Sequence, residues 1–256
     1  MKRKEVLAYI STIDGWLSSH EGFFLYEAAR SINSGKTKKG NIVEIGSWLG
    51  KSTICLASGS KEGSKSNVFA IDPHKGEFTK GNGIGKKAPT FKEFQQNLKK
   101  TGVASLVKPL VTTSKKAATS WKGSIQLLFI DGLHDYKNSK LDYSLWSPFV
   151  AENGMIAFHD AFCGHIGPEK IIRDEILSSD NWHDIGVVGS IIYAKKGTAK
   201  TLLQRLDILR TKFFISLALS LNKKEIFAPI KFFLIHRVIK TFLLNTYTMQ
   251  LKLENE

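Results

Sequence analysis

Groups that bind protons or metal ions follow two apolar segments of the chain. The first segment, LLFIDGLHDY at residues 127–136, carries Asp131, His134 and Asp135 at its end. The second, GMIAFHD at residues 154–160, ends in His159 and Asp160. Carboxylate oxygens suit hard divalent cations, and an imidazole exchanges protons near neutral pH. The pattern indicates a polar site at the ends of two buried strands.

Asp131 taken alone could be a strand-end acid that is satisfied by nearby polar groups. Its occurrence together with His134, Asp160 and a further strand-end acid, Asp72, favours a functional site. A histidine near a carboxylate can act as a general base, and two aspartates can hold a cation such as Mg²⁺. We therefore treat these residues as one candidate site.

Other polar residues near these segments have simpler explanations. Asp135 and Tyr136 are expected to cap and pack the helix that follows. Asp142, further along that helix, could assist the site, cap a helix or lie at the surface. His74 and His165 are expected in solvated loops near the cleft.

Short apolar segments alternate with helical patterns between about residues 41 and 196. This alternation predicts βαβ units, and hence an α/β fold with a doubly wound, mostly parallel sheet of seven strands. In such sheets ligands bind beyond the carboxyl ends of the strands, where the strand order reverses. The acidic strand ends would lie at that edge.

A glycine-bearing turn follows the first predicted strand, in VEIGSWLGKST at residues 43–53. Gly46 and Gly50 would let the backbone approach a ligand closely, with Ser47 between them. The helix that follows presents unpaired amides to a negative group. Ser52 and Thr53 could hold a carboxylate of that ligand, or could simply cap the helix.

The acids near this turn define the kind of ligand. Glu44 would repel a diphosphate, and the GxGxxG pattern of nicotinamide sites is absent. Asp72 ends the second strand and is well placed to hold ribose hydroxyls. Ser114, after the third strand, could approach an adenine ring or remain outside the site. The expected ligand is a nucleoside that carries a positive charge and one carboxylate.

S-adenosylmethionine fits that description, and VEIGSWLGKST, FAID, LLFIDGLHDY and GMIAFHD together resemble class I S-adenosylmethionine-dependent methyltransferases. More narrowly, they resemble the branch that contains metal-dependent sugar O-methyltransferases and cephalosporin-hydroxylase-like proteins. The resemblance covers about residues 40–195 and implies an antiparallel last strand.

The resemblance also implies roles for individual residues. The aspartates that match Asp131 and Asp160 bind the metal, Asp131 lies beside the cofactor, and His134 matches the general base. The residue before the second aspartate is often an acidic ligand in that branch, whereas this chain has His159. We expect a divalent metal, Mg²⁺ in the first instance, with His159 either a ligand that favours Mn²⁺ or an orienting group.

The overall charge would favour acidic partners, or it could simply be a solvated basic surface. Lys and Arg number 37 against 23 Asp and Glu, which gives a net charge of +14. Nucleic acid is not expected, because no RNA-binding module or NPPY-type strand end is found. The two cysteines lack metal or disulfide spacing. A cytoplasmic protein is expected, and one that could touch the inner face of the membrane.

The chain divides into three predicted segments. Residues 1–39 form N-terminal helices, residues 40–197 form the catalytic domain, and residues 198–256 form a basic, amphipathic helical extension. The extension could bind an anionic membrane surface, pack on the catalytic domain or join a second subunit. The loop at 75–89 could close over the cleft.

The sequence therefore predicts an S-adenosylmethionine-dependent O-methyltransferase. Its acceptor would be a sugar hydroxyl of a glycan or of a glycosylated small molecule. A lipid-linked glycan would fit a chain that attaches to a membrane. The alternative is a catalytically silent, membrane-associated or assembly protein that retains the cofactor fold.

Overall fold

A computed structural model describes residues 2–32, 40–76 and 89–222. Most of the predicted 75–89 loop and the extension beyond residue 222 lie outside these residues. The helices are α1 (Arg3–Ile10), α2 (Ser19–Ser31), α3 (Lys51–Glu62), α4 (Phe91–Thr101), α5 (Ser114–Ser120), α6 (Tyr136–Trp146), α7 (Ile166–Ile171, continued by a π-turn at Ile172–Leu177) and α8 (Leu202–Asn222). The strands are β1 (Asn41–Ile45), β2 (Val68–Ile71), β3 (Val107–Leu110), β4 (Ile125–Ile130), β5 (Val150–Phe158), β6 (Trp182–Val188) and β7 (Ile191–Lys196).

The seven strands form one sheet in the order β3-β2-β1-β4-β5-β7-β6. Strands β1 to β5 pair in parallel, and β7 is antiparallel to both β5 and β6. The predicted fold class, including the antiparallel last strand, is confirmed. The strand order reverses between β1 and β4, so the ends of these two strands flank the expected ligand crevice.

Apolar side chains cover both faces of the sheet, as expected for parallel strands that are buried on both sides. One face packs against α1 to α4 through residues that include Phe24, Leu56 and Phe94. The other face packs against α5 to α8 through residues that include Trp146, Ile172 and Ile215. The sheet is thus the middle layer of three.

The N-terminal helices belong to the first of these layers. A Cβ atom at Gly59 of α3 would lie 2.0 Å from the carbonyl oxygen of Tyr26 in α2, and one at Gly63 would lie 2.1 Å from that of Arg30. Glycine therefore allows α2 and α3 to approach backbone to backbone. The apolar spacing of residues 5–33 predicts two helices with a break near Gly15 or Gly22. The break lies at residues 11–18, since Gly22 is inside α2.

One element boundary differs from the sequence prediction. The residue pattern of KLDYSLWSPFV, residues 140–150, predicts a helix throughout, but α6 ends at Trp146. A short 3₁₀ turn with Pro148 follows, and Val150 already belongs to β5. Proline cannot donate the hydrogen bond that a longer helix would need.

Helix α8 has one face packed on the domain and one face in solvent. Ile215, Ala218 and Leu219 are buried. The opposite face exposes large apolar side chains at spacings of three and four residues: Leu202, Leu206, Leu209, Phe213 and Leu217. We call these five residues the α8 stripe. Within the residues that the structure describes, no helix combines the length and apolar character needed to cross a membrane.

Candidate active site

The ends of β4 and β5 bring the predicted catalytic groups together. Ile130 is paired with Phe158, so Asp131 and His159 follow at adjacent positions of the sheet edge. The backbone N–H of Asp131 donates to the carbonyl of Ile45 at 2.8 Å, and that of His159 donates to the carbonyl of Ile130 at 3.1 Å. The backbone bonding of the sheet thus continues into the site and fixes these residues.

Four side chains form a compact cluster at this edge. His159 Nδ1 lies 3.3 Å from Asp131 Oδ1 and 3.3 Å from Asp160 Oδ1. His134 Nε2 lies 3.5 Å from Asp131 Oδ1 and 3.5 Å from Asp160 Oδ2. The predicted metal residues and the predicted base therefore share one location, as the register of parallel strands required.

The charges in this cluster shift one another's pKa values. Burial would lower the pKa of His159, but Asp131, Asp160 and Glu21 raise it well above its usual range. Burial would also lower the pKa of His134, but Asp131 and Asp160 raise it above its usual value. For Asp131 and Asp160 burial would raise the pKa, but the neighbouring histidines lower it. The cluster is held together by mutual neutralisation.

The cluster fits a divalent cation. Asp131, His159 and Asp160 each offer one ligand atom, and these atoms lie within 4.8 Å of one another. Neither ring nitrogen of the buried His159 makes a well-aligned hydrogen bond among the described residues. Buried polar atoms are normally satisfied. A cation between the aspartates would give the imidazole a partner.

Asp160 occupies a backbone conformation that few non-glycine residues adopt. Its φ is +57°, in the left-handed region. Such strain costs about 1–3 kcal/mol and persists where the surrounding structure fixes it. Here the backbone N–H of Asp160 donates to Ser190 Oγ at 3.3 Å, and that of Ala161 donates to the Ser190 carbonyl at 2.9 Å. The turn between β6 and β7 thus holds the aspartate in place.

Glu21 is a member of the site that the sequence did not reveal. It lies in α2, and its Oε2 is 3.6 Å from His159 Nε2. Burial would raise its pKa, but His159 and the backbone amides of Ser18 and Ser190 lower it to about 2. The only sequence signal was its position three residues after Ser18, which predicts a capping box and no catalytic contact.

Two histidines lie in surroundings that differ from the prediction. His165 is half-buried, with its ring centroid 4.5 Å from that of His134, and with Asp160 these two histidines form a second group of possible metal ligands. His74 was expected in solvent, but it is buried, with Nδ1 2.9 Å from Thr90 Oγ1. That expectation was wrong because residues 90–94 cover the ring.

The predicted cofactor turn lies beside the aspartate–histidine cluster. Gly46 has φ +86°, and a Cβ there would lie 2.0 Å from the carbonyl oxygen of Asp131. Gly50 has φ +87° and precedes the first residue of α3. Both positions require glycine for conformation, and Gly46 also requires it for space. The turn is therefore packed directly onto the end of β4.

Asp72 organises the same turn. Its Oδ2 accepts hydrogen bonds from the backbone amides of Ser47 at 3.0 Å and Trp48 at 2.8 Å, and its Oδ1 accepts one from His74 at 2.6 Å. The buried Ser47 hydroxyl has no hydrogen-bond partner among the described residues. A carboxylate can accept about four hydrogen bonds, so Asp72 retains capacity for a ribose hydroxyl.

Glu44 is completely buried beneath α3. Its Oε2 accepts a hydrogen bond from Thr53, and Ser52 lies close enough to stabilise its charge. Burial nevertheless raises the pKa of Glu44 to about 8. Its other oxygen, Oε1, has no hydrogen-bond partner within the described part of the chain. Thr53 and Ser52 thus face the carboxylate rather than acting as helix caps.

Ser114, Asp142 and Asp135 form local structural contacts. The Ser114 hydroxyl donates to Asp142, whose pKa is raised by burial to about 6. This pair joins the start of α5 to α6 beside Gly132, where a Cβ would lie 3.0 Å from Asp142 Oδ2. Asp135 caps α6 by accepting from the Asn138 amide at 3.1 Å, as predicted.

Comparison with known proteins agrees with this geometry. Residues 43–161 match a family described as methyltransferase domain. The chain is similar in fold to the O-methyltransferase NovP, with a TM-score of 0.60 and 14% identity over 70% of this chain and 81% of that one. It is similar to the methyltransferase PaMTH1 of Podospora anserina, solved with SAH, with a TM-score of 0.55 and 16% identity over 77% of this chain and 88% of that one. It is also similar to the O-methyltransferase TomG from Streptomyces achromogenes, involved in tomaymycin synthesis and solved with SAM. The TM-score is 0.51, with 16% identity over 77% of this chain and 88% of that one.

The matched family segment begins in β1 and ends just after Asp160, and so contains the glycine turn and the aspartate–histidine cluster. This segment therefore matches a methyltransferase domain, and the chain has the fold of the methyltransferases named above.

Proposed function

We propose that this methyltransferase transfers a methyl group from S-adenosylmethionine to a hydroxyl group, with a divalent metal ion at the acceptor site. The observation that supports it most is the meeting of Asp131, His134 and Asp160 at the sheet edge next to the glycine turn. Metal ligands, a base and a nucleotide-binding turn then share one crevice.

When bound, S-adenosylmethionine supplies an electrophilic methyl group on a sulfonium sulfur. Gly46, Ser47 and Gly50 would border it, and Ser52 and Thr53 would act through Glu44. Asp72 holds the turn by accepting hydrogen bonds from its backbone amides, and it would bind the ribose. Ser114 would contribute to the adenine side only if its bond to Asp142 were exchanged.

A divalent ion would be held by Asp131, His159 and Asp160, and when bound it would acidify the acceptor hydroxyl. His134 would then accept the hydroxyl proton at Nε2, the nitrogen that faces both aspartates. Asp131 orients that imidazole and the cation together.

His134→Ala tests the role of the base. We expect turnover to fall by about 10²-fold or more, the usual scale for general-base catalysis, with the affinity for S-adenosylmethionine nearly unchanged in calorimetry. His183→Ala, which removes an imidazole at the opposite end of the sheet, is the matched control. Full turnover in His134→Ala would remove the base from the mechanism.

The sugar acceptor rests on the resemblance of the strand-end motifs to metal-dependent sugar O-methyltransferases. Release of S-adenosylhomocysteine can be measured with two panels, nucleotide sugars and glycosides on one side and catechol-type phenols on the other. We expect turnover with the first panel. Turnover with phenols alone would contradict the sugar assignment, and cofactor binding without turnover on any hydroxyl would favour the catalytically silent alternative.

The α8 stripe supports a second proposal, attachment to an anionic membrane surface. The stripe is exposed, the whole chain carries a charge of +14, and the sequence after α8 is rich in lysine and apolar residues. Interfacial helices combine these features. Replacing Leu206, Leu209 and Phe213 by Glu should abolish sedimentation with vesicles that contain anionic lipid. Sedimentation equal to that of the wild type would disprove the proposal, and dimers lost on substitution would assign the stripe to a second subunit.

A further inference from the structure

Glu21 connects helix α2 to the cluster of Asp131, His159 and Asp160. Glu21 is buried, with only 4% of the residue exposed. Oε2 accepts hydrogen bonds from the Ser18 amide at 2.8 Å and hydroxyl at 2.7 Å, and Oε1 accepts from the Ser190 amide at 2.7 Å and hydroxyl at 2.8 Å. A carboxylate anchored from two sides is held at a set position.

The imidazole of His159 lies between Glu21 and the two aspartates. Its Nε2 is 3.6 Å from Glu21 Oε2, an electrostatic contact longer than a hydrogen bond. Its Nδ1 is 3.3 Å from Asp131 Oδ1 and from Asp160 Oδ1. A ring proton on Nε2 would face the carboxylate of Glu21, which leaves the Nδ1 lone pair directed at the space between the aspartates.

This arrangement is the one found around ligating histidines in metal centres. Such a histidine commonly directs its second N–H at a carboxylate, which fixes the tautomer and the orientation of the ring. We propose that Glu21 orients His159 so that its Nδ1 is a metal ligand. We further propose that the centre of Asp131, His159 and Asp160 binds a first-row transition ion such as Co²⁺, Fe²⁺ or Zn²⁺ more tightly than Mg²⁺. The inference rests on the metal site of the proposed function and specifies its ion.

Glu21 also supports the oxygen ligand through Ser190. The Ser190 hydroxyl donates to Glu21 and accepts from the backbone N–H of Asp160, the residue at φ +57°. A Cβ at Gly189 would lie 2.5 Å from Glu21 Oε1, so glycine at this turn makes room for the carboxylate. One anchored side chain thus acts on both the nitrogen and the carboxylate side of the centre.

The donor set determines which ion is preferred. Mg²⁺ takes oxygen ligands and keeps several waters, and an imidazole offers it little. Imidazole nitrogen suits Fe, Ni, Cu and Zn, and affinity rises along the first row from Mn²⁺ toward Cu²⁺. One nitrogen and two carboxylates therefore favour a later divalent ion over Mg²⁺ by about 10-fold or more.

Calorimetric titration of the full chain with Co²⁺ and with Mg²⁺ tests this preference without any acceptor. We expect tighter binding of Co²⁺, together with a change in its visible absorption as nitrogen enters the ligand shell. Asp160→Asn should remove the binding of both ions. If Co²⁺ binding survives Asp160→Asn, the proposed metal site itself fails. If Asp160→Asn removes binding but the wild type binds the two ions equally, only the present inference fails.

Two variants test Glu21 and His159 separately. Glu21→Gln is expected to weaken Co²⁺ binding 10- to 100-fold, the usual effect of losing an outer-shell partner, and to change Mg²⁺ binding less. Glu5→Gln is the matched control, because Glu5 occupies the same capping-box position in α1 but is exposed. His159→Gln should abolish the preference for Co²⁺ and retain Mg²⁺, a result that does not depend on whether Glu21→Gln folds. Unchanged Co²⁺ affinity in either variant would overturn the inference.

Discussion

Replacing Gly46 by Ala should damage both the stability and the site of this protein. The residue has φ +86°, which costs an L-amino acid about 1–2 kcal/mol. The new Cβ would also lie 2.0 Å from the carbonyl oxygen of Asp131 and 2.6 Å from its carbonyl carbon. Backbone atoms cannot swing away as a side chain can, and forced overpacking adds about 1–3 kcal/mol. The expected loss is therefore about 2–5 kcal/mol, a large part of the 5–15 kcal/mol of a typical domain.

Gly102→Ala is the control that separates conformation from contact. Gly102 has φ +68°, and the nearest atom to a Cβ there is Lys61 Nζ at 3.8 Å. Only the conformational cost should appear, about 1–2 kcal/mol. Urea unfolding followed by circular dichroism gives both values, provided that the slope with denaturant is unchanged. Losses for the two variants that agree within about 0.5 kcal/mol would refute the assigned contact between the turn and β4.

Three further predictions concern the buried acids Glu44 and Asp142 and the exposed helix cap Asp135. Because burial raises the pKa of Glu44 from its ordinary 4.5 to about 8, the folded chain retains a proton that the unfolded chain has lost, so stability should fall from about pH 5 to pH 8. Thermal unfolding of Glu44→Gln should show less of that fall, and an identical pH dependence would contradict the assignment. Ser114→Ala leaves the buried Asp142 without its hydroxyl partner and should cost about 1–3 kcal/mol in urea unfolding, whereas no loss would mean that the pair is not formed. Asp135→Ala should cost about 1 kcal/mol by removing the cap of α6 and Asp135→Asn only a few tenths, so equal losses would argue against capping.

The parts of the site that follow from strand register were predictable from the sequence. Asp131 and Asp160 each come directly after an apolar strand, and the carboxyl ends of neighbouring parallel strands meet at one edge. Gly46 was predictable because a turn after the first strand must admit a ligand. The alternation of apolar segments with helical patterns gave the seven strands, whereas their order in the sheet came from the structure.

The contacts that the sequence could not supply join residues far apart in the chain. Glu21 bonds to Ser190 across 169 positions, and helical spacing carries no information about such a pairing. His74 was placed in solvent because glycine and lysine follow it, whereas Phe91 and Phe94 pack against its ring. Periodicity identifies which face of an element is apolar, but not which polar residue on it is enclosed by another element.

The backbone contact between α2 and α3 has a consequence for how relatives of this protein could diverge. Family similarity begins at residue 43, yet a side chain from residue 21 reaches the centre of the crevice. Exchange of the N-terminal helices alone would therefore change the carboxylate beside His159 without altering a strand. Conversely, a fragment that starts at residue 43 would keep every residue of the family match but would lose the Glu21 carboxylate from the site.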